Sequence, residues 1–497
     1  MTGGWRVGDS GVAQVGVKSG GRALLAAAWL CCLIPRAGEA GLLQGLWRDP
    51  LFTQDLAVRG AGQVWNRHPS GLPRAKAPPR RVFAQPMGLA ALTAFALAHN
   101  PDTRVAFANL QAAADGLGVA DSAFFPTLSF DDTASRTEAN TTTGFSIPIQ
   151  NVNSAALSLN YVLLDFGARA AQREEALARI YLAGFDNNGA LQSVALSVTQ
   201  NYYQLIGEQA LVHAYRQTVR EDRASLDAAR IKQESGLATI SDVLQARAAL
   251  AQARSEWIAT QAQTRADMGG LAEACGLPAD QAMPVMPLDV GRLPPVVAPS
   301  LRALIRRAQQ SNPGILAAAA QVLANRATVR ADEAAGWPSI DVAGTAGKRF
   351  QQTLGPSQNW SVSVDLHVPL FSGFKNAYQI GEARANVRSA EASLDAQTQK
   401  IDMTVYQDYE TVLGARSAAG AAQLAVASAR ASLTAIKAQY KVGLATMLDV
   451  LAAQAALTTA KQTAIQDVTT AYVQLADLAD ALGYIGLPAQ ADSKGGL

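Results

Sequence analysis

Two apolar periods share this chain, and each marks a different element. Trp360, Val362, Val364, Leu366, Val368 and Leu370 alternate with Ser361, Ser363, Asp365 and His367. A period of two puts the apolar side chains on one face of an extended strand. Ala155, Leu157, Leu159, Tyr161 and Leu163 repeat the pattern. The partner strands are weaker: Leu128 and Phe130 share a face, and Asp132 then interrupts it. Elsewhere the spacing is seven. Leu191, Val198, Leu205, Val212, Val219 and Leu226 form one run; Val405, Val412, Ala419, Val426, Leu433 and Tyr440 form another. A sustained period of seven predicts long helices that supercoil around neighbours. Helices over 168–234 and 374–441 would be rods of roughly 100 Å. No globular core requires that length.

The two halves carry these elements in the same order. His99-Asn100-Pro101 matches Ser311-Asn312-Pro313, and Phe125-Pro126-Thr127-Leu128-Ser129 matches Trp337-Pro338-Ser339-Ile340-Asp341. Val198-Thr199-Gln200-Asn201-Tyr202 matches Val405-Tyr406-Gln407-Asp408-Tyr409. Gly236-Leu237-Ala238-Thr239 matches Gly443-Leu444-Ala445-Thr446, Asp242-Val243-Leu244 matches Asp449-Val450-Leu451, and Gly276-Leu277-Pro278 matches Gly486-Leu487-Pro488. The repeat is far longer than a solenoid period and reads as a duplicated half-protein. Each half is expected to open with one helix, 85–123 or 300–335, ended by a proline after an aromatic. Two strands joined by a polar loop follow, then the long helix, a Gly-centred break and a further helix of about 35 residues. The fold class is mainly α with a β part. The halves are 85–277 and 300–488, separated by a Pro-rich linker at 278–299 and followed by a flexible tail at 489–497.

The strand pattern has two readings. About ten alternating residues suit a lipid-facing barrel strand lined by water. An antiparallel sheet laid on a soluble core alternates in the same way. The N-terminus favours the membrane. Ala23–Ile34 is a short apolar run preceded by Lys18 and Arg22 and followed by Gly38-Glu39-Ala40, the layout of an export signal cleaved after Ala40. The long flank before it suggests that translation starts near Val17. Trp29-Leu30 are too bulky before Cys31 for a lipid-attachment pattern. Residues 41–84 read as an extended segment, and 65–81, with five Lys or Arg and no acid, as a tether or a contact for anionic lipid headgroups. No later segment reaches 18 apolar residues. Four strands cannot close a barrel, and open edges are not tolerated in lipid, so sister chains must complete it. Three copies give twelve strands and two give eight.

The 497 residues carry a net charge of +2, which gives no electrostatic case for nucleic acid. Cys275 is the only cysteine beyond the signal, so a disulfide framework is excluded. It reads as a small buried residue. The four His show no metal-ligand spacing, and neither a phosphate loop nor a nucleophile elbow is present.

The ordered motifs, namely the duplicated Asn-Pro, Phe125-Pro126 through Ser129, Leu164-Asp165-Phe166-Gly167, Leu370-Phe371-Ser372-Gly373 and the turns at 236–244 and 443–451, resemble those of the TolC or outer-membrane-factor family over about 85–490. The resemblance implies a homotrimer with a shared twelve-stranded barrel in outer-membrane lipid and a helical tunnel, an α-barrel, across the periplasm. It implies docking to a periplasmic adaptor (membrane fusion protein) and an inner-membrane transporter, and neither catalysis nor a cofactor. It also implies that the turns at Gly236 and Gly443 form the periplasmic entrance. Ser241 and Asp242 match a hydroxyl–Asp pair that holds the entrance shut, Tyr440 matches its tyrosine partner, and Asp449 matches an acidic ring at the constriction. Ala445 stands where an arginine is expected and Ala452 where a second acid is. Ser241, Asp242 and Asp449 also sit where a helix restarts, so each has a capping reading. Within the family the chain is similar to type I secretion exporters of adenylate cyclase-haemolysin toxins. A drug or metal efflux partner is the alternative, and a periplasmic coiled-coil adaptor the alternative of another class.

Overall fold

The computed structural model describes residues 80–484 apart from 82, 84, 141–145, 288–290, 298 and 352–354. The expected signal at 1–40 and tail at 489–497 lie outside the described residues, as does 41–84 except for Arg80, Arg81 and Phe83. In chain order the elements are α1 (Leu89–His99), α2 (Pro101–Ser122), β1 (Thr127–Asn140), β2 (Ser146–Leu164), α3 (Ala168–Glu234), α4 (Ile240–Ala274), α5 (Leu301–Ser311), α6 (Pro313–Ala334), β3 (Ser339–Gln351), β4 (Gly355–His367), α7 (Lys375–Lys441) and α8 (Met447–Ala481). The duplication is visible in lengths alone: α3 and α7 both have 67 residues, and α4 and α8 both have 35.

Each half opens with two helices, not the single one expected over 85–123 and 300–335. The break falls at the Asn-Pro pair. Proline has no N–H to extend the ladder, and it pushes the residue before it out of the helical region. Asn100 and Asn312 accordingly adopt extended backbone, with ψ of 137° and 121°. Each Oδ1 accepts from a free N–H of the new helix, Asp102 N at 2.7 Å or Gly314 N at 2.9 Å. Each Nδ2 donates to the last turn of the half's final helix, Ala274 O at 2.9 Å or Ala481 O at 3.0 Å. Where those final helices end, Gly276 and Gly483 have φ of 72° and 83°. An added Cβ would stand 2.9 Å from Asn100 Cα or 2.5 Å from Ser311 O. Gly483, not Gly486, is therefore the counterpart of Gly276. The shared Gly-Leu-Pro lettering at 486–488 misleads, and those residues lie outside the described ones.

The strands form one antiparallel sheet in the order β1-β2-β3-β4. Register joins the weak strands to the strong ones. Leu159 faces both Leu128 and Gly344, and Gly344 faces Val362. Leu157 likewise faces Phe130 and Ala346, and Ala346 faces Trp360. One face is thus continuously apolar or small across four strands. The row Ser129, Ser158, Thr345 and Ser361 lies on the other face. The soluble-core reading requires the apolar face to be covered, yet Trp360 is 80% exposed and Val364 67%. Two details differ from the expected pattern. Asp132 does not stop β1, which runs on to Asn140 paired with β2. Val368 and Leu370 lie past the end of β4 at His367.

The long helices form the packed body. None of the twelve heptad positions is fully exposed, and Val198, Leu205, Val405, Val412 and Ala419 are buried. Cys275 is buried in the same core, and burial pushes its thiol up to about 12. The linker is packed rather than loose. Met283 and Val285 enter that core, Tyr202 Oη donates to Met286 O at 3.2 Å, and Arg416 Nε donates to Pro294 O at 3.2 Å. The start of the described chain docks on the linker as well. Met87 bridges Val285, and Arg80 pairs with Asp280.

Replacing Asn100 or Asn312 by Ala removes a helix cap and strands a buried carbonyl. Each change should cost about 2 kcal/mol, seen as a fall of several degrees in the thermal midpoint of far-UV helical ellipticity in detergent.

Candidate functional site

At one end of the helical body the chain reverses twice, from α3 to α4 and from α7 to α8. Both turns are built alike. Gly236 and Gly443 take φ of 71° and 81°, the left-handed region that glycine enters without a Cβ clash. Leu237 N donates to Lys232 O at 2.7 Å and Leu444 N to Gln439 O at 2.9 Å, while Gly236 N and Gly443 N reach Gln233 O and Tyr440 O. These paired bonds use carbonyls that a helix otherwise leaves bare. Three residues on, the next helix starts with a capping box. Thr239 N and Oγ1 both donate to Asp242 Oδ2 at 2.9 Å, and Asp242 N returns a bond to Thr239 Oγ1 at 3.3 Å. Thr446 N and Oγ1 donate to Asp449 Oδ2 at 2.8 and 2.7 Å, and Asp449 N returns to Thr446 Oγ1 at 3.2 Å.

The four helix ends share one apolar cluster. Leu226 and Ala229 come from α3, Ala246 and Leu250 from α4, and Met447 and Val450 from α8, with Tyr440 and Ile436 of α7 packed against them. All the sequence-derived candidates therefore sit at a single tip. Asp242 and Asp449 do cap helices, as their position suggested. Ser241 does not: the capping hydroxyl is that of Thr239, and Ser241 stands exposed beside it. Asp449 is exposed, and its bonds from the Thr446 hydroxyl and N–H hold its carboxyl below the usual carboxylate range. Burial, and then the charge of Asp242, push the Tyr440 phenol up. The phenol oxygen is buried with no hydrogen-bond partner among the described residues, so Tyr440 and Asp242 are near one another but unbonded within one chain. Ala445 is half-buried and Ala452 exposed.

Sequence reasoning missed three features. The Thr-x-x-Asp spacing at 239–242 and 446–449 is a capping signature legible in the sequence, and it makes Thr239, not Ser241, the capping hydroxyl. Lys232 lies with its Nζ 3.6 Å from the centroid of the Tyr440 ring, a contact between residues far apart in sequence that no local pattern signals. Asp408 of α7 approaches Asp477 and Asp480 of α8. Burial, then their repulsion, pushes its carboxyl up to about 6. At the matching places of the first half, an oxygen of Asn201 lies 2.7 Å from where a Cβ of Gly270 would be.

No described helix is long and apolar enough to cross a membrane. The apolar face lies on the sheet. The comparisons with known proteins agree with this division. The outer membrane efflux protein family model matches twice, over 92–277 and 304–484, once on each half. Protein CyaE of Bordetella pertussis is 29% identical over 413 residues, covering 82% of this chain and 83% of that protein. Antibiotic efflux pump outer membrane protein ArpC of Pseudomonas putida is 26% identical over 473 residues, 91% of this chain and 92% of its own length. A membrane protein of Pseudomonas aeruginosa superposes with a TM-score of 0.72 at 24% identity, covering 83% of this chain and 99% of that one. The outer membrane protein VceC of Vibrio cholerae superposes at 0.69 and 20% identity, covering 80% and 97%. With both halves matched in order, this chain belongs to the outer membrane efflux protein family and is a channel of the outer membrane that extends into the periplasm.

Proposed function

We propose that three copies of this chain close a twelve-stranded barrel, and that their helices continue its bore to an entrance at the paired tips. The uncovered apolar face of a four-stranded sheet with two open edges carries the reading. In lipid those edges must be paired, and three copies supply 4 × 3 strands. The channel works with a periplasmic adaptor and an inner-membrane transporter. At the entrance Asp449 contributes one carboxylate per chain to an acidic ring that attracts cations. Asp242, Ser241 and Tyr440 border the same opening, and Ala445 and Ala452 leave it with fewer polar ties and fewer charges than the family pattern.

The cargo we propose is a protein delivered by a type I secretion transporter, such as a toxin of the adenylate cyclase-haemolysin kind. The Leu164-Asp165-Phe166-Gly167 strand end, which departs from the Leu-Phe-Gly of efflux lipoproteins, and the identity with Protein CyaE support it. The similarity to ArpC supports drug efflux as the second reading. Crosslinking in cells followed by affinity capture separates them: an ATP-driven secretion transporter among the captured proteins supports the first, and a proton-driven efflux pump alone refutes it.

Three measurements test the channel itself. Graded crosslinking of detergent-extracted outer-membrane protein should give a ladder that stops at three chains. A lysine at Val364, on the apolar face, should cost about 2–4 kcal/mol near the bilayer midplane and deplete the assembled protein from outer membranes, whereas Ser363→Lys on the polar face should assemble. In planar bilayers, Asp449→Ala should reduce cation selectivity. Within one chain the bonds from Thr446 hold the Asp449 carboxyl below its ordinary range, while the other two carboxylates of the ring push it up, so the selectivity should be lost as acid protonates the ring. Unaltered selectivity in the variant would refute the ring.

A further inference from the structure

We propose that Lys232 is a positioning residue of the entrance, fastening the end of α7 to the end of α3 so that the two helical hairpins of one chain stay together at the tip. The proposal deepens the reading of this tip as a channel entrance and rests on it. Lys232 lies in the last turn of α3, where its own carbonyl closes the α3 turn by accepting Leu237 N at 2.7 Å. Its side chain crosses to the other hairpin. Nζ donates to Tyr440 O at 3.1 Å and sits 3.6 Å from the centroid of the Tyr440 ring.

Three favourable effects meet at this one ammonium. The Tyr440 carbonyl belongs to the last turn of α7, where unsatisfied C=O groups give the helix end a partial negative charge that a cation stabilises. The ring beneath it supplies a cation–π contact. The hydrogen bond is charge-assisted, which makes it stronger than one between neutral groups. The ring that Lys232 covers is packed on the shared tip cluster of Leu226, Ala229, Met447 and Val450. The cation therefore lies over a seam already closed by apolar contact and acts on its outer margin, where no other described side chain donates to the end of α7.

The repeat shows that the contact is a departure from symmetry. With a constant offset of 207, obtained from Gly443 minus Gly236, the position matching Lys232 is Gln439 and the position matching Tyr440 is Gln233. Two glutamines cannot form the cation–π contact. In a ring of alternating hairpins, each seam within a chain is thus pinned by a Lys–Tyr pair. The pseudo-equivalent seam between chains is not.

Two other lysines line the same groove. Lys437 of α7 pairs with Glu221 of α3 at 3.3 Å and so ties the same two helices further from the tip. Lys441 is exposed, makes no side-chain hydrogen bond or ion pair among the described residues, and serves as the charge-matched control.

The test is single-channel recording of the purified oligomer in planar bilayers, with no adaptor present. Lys232→Met should raise the open fraction or mean conductance roughly three- to tenfold, as expected for loss of one partly exposed cation–π and charge-assisted contact. Tyr440→Leu should do the same, and the double variant should add little to either single change. Lys232→Arg should restore behaviour close to the original, and Lys441→Met should leave conductance unchanged. Retention of the oligomer band and helical ellipticity in each variant shows that assembly is intact. Original channels that conduct, alongside Lys232→Met channels indistinguishable from them, would overturn the clamp while leaving the channel reading standing. Equal effects of Lys232→Met and Lys441→Met would overturn it too, since groove charge alone would then suffice. Absence of any conductance from the original oligomer would refute the channel reading itself.

Discussion

A strand edge facing hydrocarbon has no water to satisfy its N–H and C=O groups. The whole molecule is arranged around that constraint. β1 and β4 each pair on one side only, so the chain alone presents two bare edges beside an apolar face. Neither can stay bare in lipid. The sheet is incomplete by construction, and closure has to come from other copies. Its small residues fit this role: Gly344 and Ala346 sit in register between Leu157, Leu159, Trp360 and Val362, keeping the apolar face low and continuous where lipid chains lie against it.

Every strand pair hands the chain directly to a long helix, so the barrel also sets where the helices begin. Phe166-Gly167 and Gly373-Phe374 make these turns with positive φ at each of the four residues. From there α3 and α7 run for 67 residues, and the core of α7 is made largely of alanine and valine, such as Ala383, Ala390, Val405, Val412 and Ala419. Small side chains bring helix axes close, and the seven-residue step keeps one seam facing its neighbour. The step is fifteen between Ala390 and Val405, one more than two heptads. Such a slip locally unwinds a supercoil. It falls near Gly314, whose added Cβ would meet the Gln397 amide of α7 at 2.9 Å.

The far end uses a different chemistry. Two near-identical turns, each a left-handed glycine followed by a Thr–Asp capping box, satisfy several of the backbone groups that reversal exposes. That local self-sufficiency leaves the tips free of obligatory bonds to one another. What joins them is a small apolar cluster with the Lys232–Tyr440 contact at its margin and, further along, the Lys437–Glu221 pair. A tip built this way is stable as two hairpins and only weakly committed to one arrangement of them, which suits an opening that must both hold and yield.

The sequence by itself determined the elements whose signals are local or periodic. The heptads located α3 and α7, the duplication assigned the same architecture to both halves, and the alternation at 155–163 and 360–366 located β2 and β4. It also determined that Asp242 and Asp449 stand at helix starts. Local patterns failed where the deciding partner was distant. The helix expected across 85–123 breaks at Pro101, a local signal, but only the fold shows Asn100 tied to the Ala274 carbonyl. β1 continues through Asp132 because β2 supplies its ladder, and the true match of Gly276 is Gly483 because backbone packs against both. Only the tertiary structure showed that the apolar face of the sheet is uncovered, since alternation looks the same over a soluble core. Only it put Lys232 on Tyr440. Periodicity reports which face of an element is apolar; what meets that face, or whether anything in the same chain does, is fixed by contacts between residues hundreds of positions apart.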